Sequence, residues 1–309
     1  MLNIYNKVCS VVYSAVLLAA ILCLCACGGD TAAKLTEQNP ETPDLKVAVF
    51  PSLDAVPLAL ANDWGVFDSL GVKVELAVFR SQMDAEKALA DGKADAVLTD
   101  MFRVGWWQWH RKPVQFAFAT KRHLFIVPNR VLRISKADQL DDRMIAGTRF
   151  SMEDYFAERV VAGIKNRKGQ ILHPQINSVE LRLSMLKAGQ LDAAVLNTQQ
   201  ALKARSAGYA SLNTEQLDFG FAGVAYNSDS VKVKRAMMGK LRQAYDIVVS
   251  KLRQSPTLPQ ISEQTRKALF LNEGVDSVIN TKTDFAPTSA PNSTRQDEAT
   301  AWLRNHGIN

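Results

Sequence analysis

Two successive hydrophobic patterns run through residues 81–100 (SQMDAEKALADGKADAVLTD). Apolar residues first recur at helical spacing up to Gly92, and a short apolar run, Ala94–Leu98, then ends on Thr99 and Asp100. A glycine one step past the last periodic residue is the usual left-handed helix stop, and a short β-rich run after it indicates a strand. The stretch therefore predicts a helix–turn–strand unit of an α/β sheet.

The same arrangement recurs later in the chain. The sequence LADGKADA (89–96) is echoed by LKAGQLDA (186–193), and an apolar strand, Ala193–Leu196, follows and ends on Asn197 and Thr198. The two copies are too far apart for a repeat array, so we interpret them as matching elements of two similar α/β lobes. Ligands of open α/β sheets bind beyond the carboxyl ends of the strands. The polar pairs that end these two strands are therefore the first candidates for facing walls of a site.

Composition indicates a globular protein of ordinary core size. The chain has 309 residues, of which 47% are hydrophobic and 22% charged, so length alone suggests about two domains. A net charge of +6 raises the question of nucleic acid, but lysines and arginines are interspersed with acids and no basic stripe or nucleic-acid motif is present. We therefore expect a mildly cationic solvated surface and no nucleic-acid partner.

The N-terminus has the features of an export signal. After Lys7, the apolar run Val11–Ala26 is short for a membrane span and closes on small residues. Its end, LCAC (24–27), resembles a bacterial lipobox, which implies that residues 1–26 are a signal peptide and that Cys27 carries lipid such as palmitate. The alternative is a plain signal peptide with an incidental cysteine. All four cysteines lie between residues 9 and 27, so the mature chain would have no disulfide and no thiol chemistry.

The polar segment 27–44 has no apolar period and is predicted to be a flexible tether. The fold should begin with a strand at Leu45–Phe50. A helix with its apolar face on residues 53, 56, 60 and 64 should follow, and it gives way near Gly65 to a second strand at Val72–Phe79.

At this point a family resemblance appears. Residues 45–76 (LKVAVFPSLDAVPLALANDWGVFDSLGVKVEL) resemble the opening of solute-binding proteins of the sulfonate, taurine, nitrate and thiamine-precursor type, which serve ABC importers. The runs ADQL…MIAG (137–147) and AWLRNHGI (301–308) are also similar to that family, although Asp141 and Asp142 replace its usual glycine, so that loop is expected to differ in shape. The family pattern Ala-x-x-x-Gly-x-Phe-x-x-x-Gly-hydrophobic-x-Val is matched by Ala61, Gly65, Phe67, Gly71, Val72 and Val74.

The resemblance implies an α/β, two-lobed, periplasmic binding protein-like fold of type II, with two hinge crossovers and a ligand cleft between the lobes. We place the outward crossover near Phe125–Arg133, where proline rules out a helix, and the return near Phe219–Tyr226. Lobe 1 would then comprise 45–128 plus 222–309, and lobe 2 would comprise 129–221.

The walls of such a cleft would be the loops at the strand ends. The candidate ligand-binding residues are Ser52, Leu53, Asp54, Thr99, Asp100 and Met101 from lobe 1, and Thr148, Arg149, Ser151 and Asn197, with Thr198 beside it, from lobe 2.

The chemistry of these candidates leaves the charge of the ligand open. Arg149 precedes a predicted helix N-terminus and would suit a carboxylate, sulfonate or phosphate, or it forms a surface salt bridge. Asp54 and Asp100 would suit an amine, amidine or aminopyrimidine, or they only cap helices. The sequence Ser151-x-x-Asp154 also fits a capping box. A mixed or heterocyclic solute fits this set slightly better than a simple anion.

Other functional classes find less support. The four histidines (His110, His123, His173 and His306) lack metal-ligand spacing, and no nucleophile elbow, P-loop or dinucleotide motif occurs. We therefore expect no enzyme activity, no catalytic residue, no metal and no cofactor. The aromatic cluster of Trp106, Trp107 and Trp109 is interpreted as helix packing in preference to a ligand-stacking platform.

These observations predict a lipid-anchored, extracytoplasmic solute-binding component of an ABC importer, on the periplasmic or extracellular side of a membrane. Its ligand would be a small organic solute, either a nitrogen heterocycle such as a thiamine-precursor pyrimidine or a sulfonate. Its partners would be an ABC permease and an ATPase, and it would act as a monomer. The alternatives are a fold-related pyrimidine-synthesis enzyme and an envelope lipoprotein without a transport role.

Overall fold

The computed structural model describes residues 33–34, 42–165, 169, 171–212, 220–229, 232–271 and 278–308. The predicted signal peptide and Cys27 lie outside these ranges. None of the helices in the described ranges is both long enough and apolar enough to cross a membrane.

Two β-sheets form the framework of the described chain. In the larger sheet the strand order is β1-β3-β2-β4-β9-β5, and in the smaller sheet it is β6-β8-β7. Strand β2 is parallel to both β3 and β4, whereas β9 runs antiparallel between β4 and β5. The strands are β1 Ala33–Lys34, β2 Leu45–Val49, β3 Val74–Val78, β4 Ala96–Asp100, β5 Val114–Ala119, β6 Leu124–Pro128, β7 Ile145–Ala146, β8 Ala193–Asn197 and β9 Ala222–Asn227.

Helices cover both sheets. We call the larger sheet with α1–α4 and α8–α10 lobe 1, and the smaller sheet with α5–α7 lobe 2. The helices are α1 Val56–Asp63, α2 Val66–Ser69, α3 Gln82–Ala90, α4 Met101–Trp109, α5 Met152–Ala162, α6 Val179–Lys187, α7 Thr198–Ser206, α8 Lys232–Gln254, α9 Glu263–Ala268 and α10 Ser293–Asn305, and short 3₁₀ turns lie at Leu53–Ala55, Arg130–Leu132 and Ala137–Leu140.

The two predicted helix–turn–strand units are confirmed. Helix α3 leads through Gly92 into β4, and α6 leads through Gly189 into β8. Both glycines adopt the left-handed conformation, with φ of 70° and 76°, which costs a glycine little because it lacks a Cβ. One detail differs from the prediction, because Asp100 pairs with β9 and therefore belongs to β4 instead of following it.

The outward crossover differs from the prediction. The run Phe125–Arg133 was expected to link the lobes, but β6 pairs antiparallel with β8 and is a strand of the smaller sheet. The chain leaves the larger sheet at the end of β5, so the linker is the polar segment 120–123. The predicted end of lobe 1 at residue 128 is therefore too late. The return to the larger sheet is complete at Ala222, the first residue of β9.

Part of the predicted tether is ordered against the fold. Ala33 and Lys34 pair antiparallel with Val78 and Ala77 of β3, at the edge of the larger sheet. In the loop where two aspartates replace the family's glycine, Asp142 adopts φ of 57°. Aspartate is one of the few non-glycine residues that tolerate this left-handed region, so the loop keeps a glycine-like backbone.

The hydrophobic core has separate and shared parts. One face of the larger sheet packs against α1 and α8, and α6 and α7 cover the smaller sheet with a cluster of their own. A third cluster joins the lobes, because it contains Val97 of β4 together with Ile126 of β6 and Val195 of β8. Aromatic rings extend it, with Phe102 of α4 stacked on Tyr155 of α5 at 4.8 Å between centroids.

Candidate functional site

The polar strand ends of the two lobes meet at one junction. Asn197 ends β8 in lobe 2, and its Nδ2 donates a 2.7 Å hydrogen bond to the carbonyl of Pro51 in the loop after β2 of lobe 1. The same side chain caps α7, since its Oδ1 accepts from the N–H of Gln200 at 3.2 Å. Asn197, one of the predicted site residues, therefore caps α7 and also forms a hydrogen bond between the lobes.

Arg122, in the crossover segment, is the charged centre of this junction. Its side chain is 3% exposed, and it forms an ion pair of 2.9 Å with the fully buried carboxylate of Asp54. Nε of Arg122 lies 3.2 and 3.1 Å from the two oxygens of that carboxylate, and the hydroxyl of Thr120 donates to it at 2.9 Å. Asp54 therefore does not cap a helix through its side chain, and it is not a free anion.

The same guanidinium reaches several walls. Nη1 donates to Oε1 of Gln82 at 3.0 Å, and Nη2 lies 3.3 Å from the carbonyl oxygen of Thr99. The guanidinium also lies over the ring of Phe50, 4.8 Å from its centroid, and 3.9 Å from the sulfur of Met152 in α5. Arg122 thus ties the loop after β2, the end of β4 and the first turn of α5 to one point.

Asp100 is a buried helix cap with a perturbed proton affinity. Its Oδ1 accepts from the N–H of Arg103 at 3.0 Å, and its Oδ2 accepts from Nε2 of Gln82 at 2.6 Å. Burial, and next the charge of Glu86, raise the pKa of Asp100 to about 6. The cap interpretation of Asp100 is confirmed, and its carboxylate adds negative character to the junction.

A second ion pair lies behind Asp100. Glu86 pairs with Arg103 at 2.9 Å, and both side chains are buried. The hydroxyl of Thr99 donates to the same carboxylate at 2.6 Å, and the indole N–H of Trp107 donates to it at 3.1 Å. Arg103 also lies 4.4 Å from the ring centroid of Trp106. These contacts support the packing interpretation of the tryptophan cluster.

The wall from lobe 2 is a helix start stabilised by its own side chains. Ser151 caps α5 by accepting from the N–H of Glu153 at 3.1 Å and donates to the carbonyl of Thr148 at 2.6 Å. Glu153 accepts from the N–H of Thr148 at 2.8 Å and pairs with buried Arg182 at 2.9 Å. The polar groups of this wall are thus largely bonded within lobe 2.

Arg149 has the salt-bridge role that the sequence left open. It pairs with Asp154 at 3.3 Å while its side chain is 28% exposed, and its guanidinium lies 5.3 Å from the ring of Phe150. Burial raises the pKa of Asp154 and lowers that of nearby His173. The contacts that the structure describes for Arg149 are within lobe 2.

The predicted residues therefore fall into two groups. Asp54, Thr99, Asp100 and Asn197 take part in the network at the junction, and the buried Ser52 and Leu53 lie in the loop that Asn197 contacts. The buried Met101, Thr148 and Ser151 shape the adjoining helix starts, and Arg149 lies at a partly exposed rim.

Sequence reasoning missed four residues of the junction. Arg122 and Thr120 lie in a short polar segment between two apolar strands, and Gln82 heads a helix whose other buried positions are mostly alanine and leucine. An isolated arginine between two predicted strands was the available signal. Gln199, in the first turn of α7, follows the polar strand end Asn197-Thr198 and carries no separate signal in the sequence.

The start of α7 carries buried polar groups that lack partners. Thr198, Gln199 and Gln200 are all buried. Within the described chain, the Thr198 hydroxyl, both ends of the Gln199 amide and Oε1 of Gln200 have no hydrogen-bond partner. Such groups are rare in folded proteins, because each forfeits its bonds to water on burial.

One cluster has the composition of a cation site. Ligand-capable atoms of Asp154, Glu158 and His173 lie within 4.8 Å of one another. Protein groups already bind both carboxylates, since Arg149 pairs with Asp154, and Trp302 and His306 form hydrogen bonds of 2.8 and 2.7 Å with Glu158. The cluster is explained by the contacts of α5 with Arg149, His173 and α10.

Solved structures similar to this one include solute-binding proteins. The alkanesulfonate-binding protein SsuA from Xanthomonas axonopodis pv. citri, bound to MOPS, is 16% identical with a TM-score of 0.68, covering 87% of this chain and 94% of that one. The aliphatic sulphonate-binding protein SsuA from Escherichia coli is 15% identical with a TM-score of 0.63 and the same coverage. The nitrate-binding protein NrtA from Synechocystis is 13% identical with a TM-score of 0.65, covering 87% of this chain and 83% of that one.

The chain therefore has the two-lobed α/β fold of type II periplasmic binding proteins, and the predicted fold class is confirmed. Residues 38–103, which include β2 to the start of α4, match the NMT1-like family. The neighbours are of the type that the sequence resemblance indicated. No curated protein sequence matches this chain significantly.

Proposed function

We propose that this protein is the lipid-anchored, extracytoplasmic solute-binding component of an ABC importer, which captures a small organic solute between its lobes. The lipid would be attached at Cys27 after removal of residues 1–26, and the anchored protein would act as a monomer on the outer side of a membrane. Its partners would be a permease and an ATPase.

The observation that carries this proposal is the meeting of polar strand ends from both lobes around Arg122. In open α/β folds, ligands bind at the carboxyl ends of strands, and here the ends of β2, β4 and β8 converge there. The solved neighbours with this fold are named for the sulfonates and nitrate that they bind.

Lobe closure would couple solute capture to transport. A solute that contacts both walls favours the closed arrangement, and it shifts the equilibrium only by its difference in affinity for the closed and open states. The permease would then recognise the paired surfaces of the closed lobes, and ATP hydrolysis would take place in the partner.

Two solute classes fit the proposal. One is a nitrogen heterocycle such as a thiamine-precursor pyrimidine, which offers donors and acceptors, and the other is a sulfonate, for which two of the solved neighbours are named. Native mass spectrometry of the purified mature chain would identify the solute that stays bound, and a binder would release it chemically unchanged. Thermal unfolding should then show stabilisation of about 2.7 kcal/mol at a hundredfold excess of solute over Kd.

A pair of conservative substitutions tests the location of the site. Asn197→Ser keeps a residue that caps helices well but cannot span to the carbonyl of Pro51. Asn292→Ser makes the same exchange at the exposed cap of α10, where the side chain accepts from the N–H of Arg295. We expect only Asn197→Ser to weaken solute binding. Equal affinities in the two variants would refute this location of the site, and recovery of a chemically altered solute would refute the binding function.

The anchor is tested separately. Expression with an alkyne analogue of palmitate should label the wild type, and Cys27→Ala should abolish both the label and membrane association. A Cys27→Ala protein that stays in the membrane fraction would show that the anchor lies elsewhere.

A further inference from the structure

The first turn of α7 presents an amide that has no described partner. Gln199 is 1% exposed, and neither its Nε2 nor its Oε1 has a hydrogen-bond partner within the described chain. A buried donor and a buried acceptor that both lack hydrogen bonds destabilise the folded state, because each has lost its bonds to water. An unsatisfied buried group of this kind is expected where a ligand supplies the missing bonds.

The helix places this amide on the side that faces lobe 1. Residues three and four positions apart share a helix face, so Gln199 shares a face with Leu202. Leu202 packs against the core cluster of lobe 1, whereas Ala201 and Ala204 belong to the cluster of lobe 2. The N-cap of the same helix bonds to the loop after β2. Gln199 therefore lies on the face of α7 that is turned toward lobe 1, and Thr198 lies between it and the N-cap that bonds to lobe 1.

The charges around the junction do not favour an anion. Each buried arginine among the residues that the structure describes is paired with a carboxylate, so an anionic ligand would have to compete with a protein carboxylate for it. Asp100 adds a carboxylate that is bonded to Gln82 and to a backbone N–H and has no arginine of its own. The committed pairs are Arg122 with Asp54, Arg103 with Glu86, and Arg182 with Glu153.

We propose that the solute is not an anion and presents a hydrogen-bond donor beside an acceptor, which pair with the amide of Gln199 while a further polar group reaches the hydroxyl of Thr198. Lactams, primary amides and amino-substituted nitrogen heterocycles have such an edge. This inference rests on the proposed function and specifies the solute class that the cleft accepts.

The test compares two small probes on the full mature chain. Isothermal titration at pH 7.5 should detect binding of 4-aminopyrimidine, whose amino group and ring nitrogen offer a donor and an acceptor, in preference to methanesulfonate. Binding of methanesulfonate alone at millimolar concentrations would overturn the inference and leave the proposed function standing. Binding of neither probe at those concentrations would overturn the inference, and the solute identified by native mass spectrometry would then decide the proposed function independently.

Substitutions separate a ligand-binding amide from a structural one. Gln199→Met keeps the length of the side chain but removes both polar ends, so affinity for 4-aminopyrimidine should fall about tenfold or more, and Thr198→Val should lower it about fivefold. In the ligand-free protein, Gln199→Met should raise the thermal midpoint, because an unpaired buried amide is replaced by an apolar group. A structural glutamine would give the opposite shift.

The matched control is Gln243→Met, at an exposed position of α8. It makes the same exchange on a helix of lobe 1 and should change neither the affinity nor the ligand-free midpoint. If Gln199→Met binds the probe as tightly as Gln243→Met does, or lowers the ligand-free midpoint, the inference is wrong.

Discussion

Replacing Arg122 should reveal how much of the fold depends on the ion pair at the lobe junction. Arg122→Met keeps a long apolar stem but removes the charge, and it leaves the fully buried Asp54 with the hydroxyl of Thr120 as its remaining described donor. The substitution also removes the donors to Gln82 and to the carbonyl of Thr99.

The expected effect is large because the surviving carboxylate has no access to water. Removing one partner of a buried ion pair costs about 3–5 kcal/mol, most of which reflects the uncompensated charge. For a chain of 309 residues, with an unfolding entropy of about 2.1 cal/mol/K per residue, that loss lowers the thermal midpoint by roughly 5–8 °C. The double variant Arg122→Met, Asp54→Asn removes the stranded charge as well and should be more stable than the single variant.

Urea unfolding followed by circular dichroism measures this effect as a change in midpoint at a constant slope. The control is Lys203→Met, which breaks the ion pair with Glu180 at 3.4 Å, whose side chains are 36% and 42% exposed. That change should cost less than about 1 kcal/mol, because an exposed pair gains little over its hydration. If Arg122→Met costs no more than this control, or if the double variant is less stable than the single one, the reasoning about the junction is refuted.

Three further predictions concern other parts of the molecule. Burial raises the pKa of Asp100 from 3.8 to about 6, so the folded state binds a proton there more tightly than the unfolded chain does. In urea unfolding, the stability of the wild type relative to Asp100→Asn should therefore fall as the pH rises from 3.8 to about 6, and it should stay constant above that pH. Gly223→Ala should destabilise the larger sheet by about 1–3 kcal/mol or more, because its Cβ would lie 2.1 Å from the carbonyl of Phe118, whereas Gly239→Ala in α8 has no atom within 4 Å and should gain up to about 1 kcal/mol in urea unfolding. Trp302→Phe removes the indole N–H that bonds to α5 and should lower stability in the same assay by about 1–2 kcal/mol.

Each of these has a clear contrary result. Parallel pH profiles for the wild type and Asp100→Asn would mean that this carboxyl titrates as it does in the unfolded chain. Equal stabilities of the two glycine variants would show that β5 and β9 are not as close as the structure places them. An unchanged Trp302→Phe protein would indicate that the contact between α10 and α5 is open to water.

The sequence predicts the helices and strands that are determined by residues close to them in the chain. The two helix–turn–strand units follow from apolar spacing and from a glycine that adopts positive φ, and both signals lie within about 20 residues of sequence. The capping role of Ser151 is local for the same reason. These predictions need no knowledge of what packs against the element.

The crossover and the centre of the site could not be predicted in this way. The sequence of β6 is equally consistent with an extended linker, and only its pairing with β8 shows that it is a strand of the smaller sheet. Arg122 forms its ion pair with Asp54, which is distant in sequence. Whether a buried arginine is free to bind an anion depends on that distant partner. Gln199 is a candidate ligand-binding residue because its buried amide lacks hydrogen-bond partners in the described structure, and a sequence pattern does not show which hydrogen bonds a side chain lacks.

The positions of the interlobe contacts suggest how the molecule opens. On the cleft side, the described contacts across the lobes include the Asn197 bond to Pro51 and a contact of 3.2 Å between Nε2 of Gln175 and the sulfur of Met83. Beside these bonds, Tyr155 packs on Phe102 and α10 bonds to α5, within a continuous apolar cluster.

Breaking the Asn197 and Gln175 contacts therefore costs less free energy than separating the aromatic cluster. A neutral hydrogen bond contributes a net 0.5–1.5 kcal/mol, roughly, and a bond to sulfur is weaker still, whereas separating the aromatic cluster would expose buried apolar surface. The ion pair of Arg122 with Asp54 need not break, because both belong to lobe 1 or its crossover. We expect rotation about the side of α5 and α10, with a small free-energy difference between the open and closed states, so a solute needs only a modest preference for the closed form to shift the population.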